Sequence, residues 1–172
     1  MNNSIDWKFL LTDTRSRVYL LWLILVTTGF VLTQFFQRKE INAVWFVISV
    51  IGLGYMYRVM PLRVVQMRRI YLAWLVPIVI GMIVSALVFR VSDLSYLIAY
   101  LGAFWLVVLG AGYFWNGLVD APAGWYYFAA ALNLTAGVLC FSFDLFTLNQ
   151  YLIAAVVSAW SMANLWLFRS GA

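Results

Sequence analysis

Apolar residues run along this chain in six blocks separated by short polar groups. Each block is about twenty positions long, which is the length a helix needs to cross a hydrocarbon layer of roughly 30 Å. The pattern therefore predicts an all-α fold, a polytopic membrane bundle of six transmembrane helices. The spans are expected over about 17–36, 41–58, 70–89, 95–115, 123–143 and 148–168, in a single transmembrane domain covering 1–172.

The polar interruptions are short, so consecutive spans are expected to pair as antiparallel helical hairpins. A segment over 1–16 precedes them. Its residues 4–14 mix apolar and charged positions at near-helical spacing, with Trp7 and Lys8 suited to the headgroup region and Asp13 or Thr14 placed to cap the first span. That span resembles a signal peptide in having basic residues before it. Its apolar core exceeds an h-region, and Gln37-Arg38-Lys39-Glu40 follows without a small-residue cleavage pattern, so it is expected to be a retained helix.

A near repetition organises the blocks. Arg17-Val18-Tyr19-Leu20-Leu21-Trp22-Leu23 returns as Arg69-Ile70-Tyr71-Leu72-Ala73-Trp74-Leu75, with Gly29 and Gly81 at the same offset. Tyr96-Leu97-Ile98-Ala99 followed by Trp105 returns as Tyr151-Leu152-Ile153-Ala154 followed by Trp160, and Gly52-Leu53-Gly54-Tyr55 pairs with Gly110-Ala111-Gly112-Tyr113. These matches predict three consecutive hairpins, a 2+2+2 repeat. Every hairpin returns to its starting side, so the repeats are parallel, unlike the inverted repeats on which many secondary transporters rock.

Composition changes the picture only by strengthening it. Hydrophobic residues make up 66% of the chain and charged residues 10%, against roughly 45–50% and about 25% in soluble domains. The net charge of +5 reads as topology, with no nucleic-acid partner, because Lys and Arg stand at the ends of apolar runs. The polar connection between the second and third spans carries Arg58, Arg63, Arg68 and Arg69 and is expected to be a cytoplasmic basic loop. With Lys8, Arg15, Arg17 and Arg169 it places eight of the eleven basic residues on one side, which predicts both termini inside a prokaryotic inner membrane.

Candidate chemistry is sparse. The chain has no histidine, which removes imidazole metal ligation, bis-histidine haem and histidine acid–base catalysis. The single Cys140 forms no internal disulfide and offers no thiolate cluster. Asp6, Asp13, Glu40, Asp93, Asp120 and Asp144 all fall outside the spans or at their ends, so no carboxylate is expected at membrane depth to couple ions or protons. Glu40, Asp93 and Asp144 each lie in an outer hairpin turn, a candidate acidic ring at a pore mouth. The Gly-x-Gly pairs lack the strand and turn of a nucleotide fingerprint and read as packing notches.

Five further residues form a candidate pocket or packing set. Asn133 lies in the small-residue stripe Ala129, Asn133, Gly137, which a hairpin folded about position 146 sets against Ala155, Ala159 and Ala163; its amide is expected to reach Asn164 or a backbone carbonyl. Pro77 interrupts the hydrogen bonding of the third span. Trp105 and Trp160 fall near mid-span, away from the interfacial belt expected to hold Trp7, Trp22, Trp74, Trp115, Trp125 and Trp166. The expectation is a protein that is not an enzyme and holds no cofactor or metal: an accessory, assembly or scaffold component of a membrane complex. Its partners are membrane lipid and either other membrane subunits or further copies of itself. The alternative is a small channel or carrier for a neutral or apolar solute, followed by a membrane sensor with a cytoplasmic partner.

Overall fold

The computed structural model describes residues 12–36, 40–121 and 123–168. The amphipathic reading of residues 4–11, with Trp7 and Lys8, lies outside the described residues, as do Arg38, Lys39 and Arg169. All regular structure among the described residues is helical: α1 Thr14–Phe35, α2 Ile41–Val59, α3 Val65–Arg90, a 3₁₀ segment Ser92–Tyr100, α4 Leu101–Val119, α5 Ala123–Ser142, a short α6 Asp144–Leu148, and α7 Gln150–Phe168. Six helical stretches are long and apolar enough to cross a membrane, the fourth combining the 3₁₀ segment with α4. The chain is an integral, multi-pass membrane protein, all-helical with no strand among the described residues.

The helix ends follow local chemistry. Asp13 caps α1, its Oδ2 accepting the Ser16 amide at 2.8 Å, which satisfies one of the open donors of the first turn. Helix α3 starts at Val65, five positions before the apolar block begins at Ile70. Polarity at Gln66, Arg68 and Arg69 marks where the helix leaves hydrocarbon, and its backbone bonds continue into the interfacial layer. The short α6 lies before the last span and is not part of it. The helical run breaks at Asn149, so α6 stands apart from α7, which begins at Gln150.

Gln150 also explains the change of winding in the fourth span. An unbroken α-helix would bond the Ala103 amide to the Ala99 carbonyl. Here Gln150 takes both ends: its Oε1 accepts from Ala103 N at 2.9 Å, and its Nε2 donates to Ala99 O. A side chain inserted into the ladder shifts the chain between 3₁₀ and α geometry while leaving neither backbone group unpaired in an apolar layer. Gly102 makes room for it, since a Cβ there would lie 2.6 Å from Gln150 Cγ.

The long helices form a ring in chain order, each packing on its sequence neighbours, with α7 closing onto α1 and also touching α4. The interfaces are unequal. Those between α4 and α5 and between α1 and α7 are the most extensive, and that between α2 and α3 is the thinnest of the ring. Missing side chains allow the close α4–α5 approach: a Cβ on Gly137 would meet the Ala103 carbonyl at 3.2 Å, and one on Gly110 would meet Leu134 at 2.8 Å. Gly137 therefore serves α4, and the expected pairing of Gly137 with Ala155 across the last hairpin is replaced by this contact.

Candidate functional site

Four tryptophans fill the centre of the bundle, one from each of α1 to α4. Trp22, Trp45, Trp74 and Trp105 are all buried, so Trp22 and Trp74 belong to the core and not to the interfacial belt expected for them, and each indole lies on a glycine of the neighbouring helix. Trp22 covers Gly52 while Trp45 covers Gly29, so α1 and α2 lock reciprocally; Trp74 covers Gly112 while Trp105 covers Gly81, so α3 and α4 lock in the same way. In both hairpins the glycine lies seven positions after the tryptophan of its own helix, which is about two turns. The hydroxyl partners repeat as well: Trp45 Nε1 donates to Thr33 Oγ1 at 2.8 Å, and Trp105 Nε1 donates to Ser85 Oγ at 3.1 Å.

This register corrects one of the sequence matches. The Gly52-Leu53-Gly54-Tyr55 match sets Gly52 beside Gly110, yet Gly52 and Gly112 are the two that receive an indole, and nothing lies within 4 Å of a Cβ built on Gly54. The last hairpin has no such lock among the described residues. In its place Asn133 Nδ2 donates to Ser161 Oγ at 3.0 Å and to the Ala129 carbonyl at 2.8 Å.

Between the tryptophans a small cavity remains, about 20 Å³ measured as room for the centre of a water-sized sphere. Tyr19, Val26, Phe30, Ile48, Ser49, Ile78, Leu109 and Met162 complete its wall. The space is close to the minimum for one water, and its apolar lining gives a water almost nothing to bond.

Above this core, at the bundle end that carries the start of α1, lies a polar cluster that sequence reasoning missed. Asp120 follows the last turn of α4, and only 1% of its side chain is exposed. Arg15 Nη1 lies 2.8 Å from Asp120 Oδ1, Tyr126 donates its hydroxyl to Oδ2 at 2.8 Å, and Gln66 Nε2 reaches within 3.5 Å. Tyr19 and Tyr126 share a hydrogen bond between hydroxyls, so the network extends to the wall of the tryptophan cavity. Each charge is badly placed alone. An arginine in the first turn of α1 faces the positive end of that helix, and an aspartate after α4 faces the negative end of its own. Bringing them together offsets both penalties and ties α1, α3, α4 and α5 at one point.

The remaining candidates separate. Trp105 belongs to the core, whereas Trp160 is 42% exposed and packs on Phe128 with ring centroids 5.4 Å apart. Asn133 is fully buried, but its partner is Ser161; Asn164 instead donates to the Trp160 carbonyl of its own helix at 2.7 Å. Pro77 is buried within a continuous α3, next to Ile78 of the cavity wall. Glu40, Asp93 and Asp144 are all exposed at the end opposite Arg15, Glu40 in a turn, Asp93 in the 3₁₀ segment and Asp144 at the start of α6, and Arg58, Arg63, Arg68 and Arg69 are all exposed at the Arg15 end. Asp120 stands at a span end, as the sequence indicates, but it is buried there. Its position in a turn gave no sign of burial, because the arginine that covers it is 105 positions away.

No group of three or more metal-ligating side chains occurs among the described residues. No protein-family model, curated protein or solved structure matches the chain.

Proposed function

We propose that this chain is a non-catalytic component of a membrane complex, an accessory, assembly or scaffold subunit. The observation that carries this reading is the reciprocal tryptophan–glycine locking of the first two hairpins, which fills the bundle centre and leaves about 20 Å³ free. A core packed in this way favours rigidity over passage of a solute. In this reading the protein lies in a prokaryotic inner membrane with both termini cytoplasmic. Exposed Arg17, Arg58, Arg63, Arg68 and Arg69 at one end support that orientation, against Arg90 and three acids at the other. The first two hairpins are tandem copies, supported by the matched spacing of Trp22, Gly29 and Thr33 with Trp74, Gly81 and Ser85; the third has diverged around Asn133 and Ser161.

The experiment is the native mass of the tagged protein extracted with its lipids from its own host, with every co-purifying chain identified. A reproducible stoichiometric partner is the expected result. A partner-free monomer that conducts a neutral solute across liposomes would overturn it and favour the second reading, a small carrier. That reading draws on Tyr19, which joins the Asp120 network to the tryptophan cavity. In a carrier the Arg15–Asp120 pair would be the gate.

A further inference from the structure

Where α2 and α3 pack most thinly, their outer faces diverge and leave a groove of about 360 Å³. Phe46, Val50 and Leu53 form one wall, and Val79, Met82 and Ile83 form the other. Ser49 and Ile78 make the floor, and these same two residues line the tryptophan cavity from its outer side. The groove therefore opens at membrane depth, where the surrounding solvent is hydrocarbon.

The same two helices carry a concentrated positive charge at one end of this groove. Arg58 lies five residues beyond Leu53, about 7.5 Å along α2, and Arg68 and Arg69 stand in the first turns of α3, with Arg63 in the loop between. All four are exposed, and none forms an ion pair among the described residues, since the buried Asp120 is taken by Arg15. Tyr57 and Tyr71 meet across the gap with ring centroids 6.2 Å apart, between the groove and the arginines. Apolar groove, aromatic pair and cation cluster thus follow one another along a single seam, in the order acyl chain, glycerol region and headgroup of a phospholipid.

We propose that this seam is a binding site for one anionic phospholipid of the leaflet facing the Arg-rich end. An acyl chain fills the α2–α3 groove, and the phosphate lies among Arg58, Arg63, Arg68 and Arg69. Charge complementarity selects this occupant. A zwitterionic lipid fills the groove equally well but gains little net attraction from four cations, whereas each arginine near an anionic surface contributes about 1 kcal/mol. A second copy docked through the same seam would bring its own arginines against these, and like charges repel across an interface.

The test uses the whole protein, delipidated in mild detergent and offered equal phosphatidylglycerol and phosphatidylcholine, with bound lipids counted by native mass spectrometry. The wild type is expected to take up one phosphatidylglycerol ahead of all other lipid, with a preference of at least about tenfold. Changing Arg58, Arg63, Arg68 and Arg69 together to Gln removes the preference; Val79→Trp, on an exposed wall, blocks the groove and removes the first tight lipid. Circular dichroism checks that both variants keep their helices. Equal uptake of the two lipids by the wild type overturns the proposal. So does undiminished phosphatidylglycerol uptake by V79W, or a dimer whose contact excludes lipid from the groove.

Discussion

Trp45 and Trp105 stack face to face at the centre of the bundle, with ring centroids 5.6 Å apart and planes within 12° of parallel. They occupy corresponding places in the first two hairpins, each lying on a glycine of its partner helix and donating to a hydroxyl one turn further along that helix. Their contact joins α2 of the first hairpin to α4 of the second. The two hairpins are thus joined through residues that also hold each of them together.

The locks distinguish two glycines that the sequence treats alike. A Cβ on Gly52 would lie 2.5 Å from the Trp22 ring, while one on Gly54 meets nothing within 4 Å. Gly52→Ala is expected to cost about 1–3 kcal/mol by overpacking. Gly54→Ala is expected to be neutral or to stabilise by up to about 1 kcal/mol, because a helical glycine carries an entropic penalty. Thermal unfolding in detergent reads both; equal effects would show that Trp22 does not rest on Gly52.

The spans were legible because a bilayer writes its thickness into the sequence, and positions 17–36 and 41–58 agree with α1 and α2 to within a few residues. Facing was harder. A soluble helix shows its inner side by an apolar stripe, but in lipid both sides are apolar, so Trp105 and Trp160 looked equivalent although only Trp105 is buried. Asn133 reads as buried from the small-residue stripe it shares with Ala129 and Gly137. Naming its partner needed the true register of α5 against α7, and folding the last hairpin about position 146 set Ala159 where the structure has Ser161. The Arg15–Asp120 pair had no local signal at all.

The Asn133 register gives a second prediction. Asn133→Leu removes the bond to Ser161 across α5 and α7, and such bonds in membrane bundles average about 0.6 kcal/mol, with a maximum near 1.7. Asn164 bonds only within its own helix, so Asn164→Leu is expected to change stability by less than about 0.5 kcal/mol. Unfolding of the two variants side by side measures the contrast. Equal losses in the two variants would overturn the contrast and support an Asn133–Asn164 bond.

Gln150 supports the only change of winding within a span among the described residues. Gln150→Leu leaves the Ala103 amide and the Ala99 carbonyl without their side-chain partner, at about 1–3 kcal/mol for each group that remains unpaired. The helix has one escape, which is to close the Ala103-to-Ala99 bond itself and wind as α throughout. Amide hydrogen exchange at Ala103 distinguishes these results: faster exchange means an opened backbone, and protection equal to the wild type with lower stability means rewinding.

The buried ion pair is best tested as a cycle. Arg15→Met leaves the carboxylate of Asp120 almost wholly buried and held only by Tyr126, Gln66 and its other contacts, and breaking such a pair from one side costs about 3–5 kcal/mol. Arg15 itself is 26% exposed, so solvent screens part of the loss and the lower end of that range is expected. Asp120→Asn keeps the shape and much of the hydrogen bonding but leaves the arginine facing the positive end of α1. The double variant removes both misplaced charges together and is expected to be more stable than the sum of the two single losses, with a coupling of about 1–3 kcal/mol. Strict additivity in thermal unfolding would show that Arg15 and Asp120 do not act as a pair. If the pair is instead a gate, the same variants raise solute leakage in liposomes in proportion to the coupling lost, whereas a purely structural tie lowers the unfolding temperature without leakage.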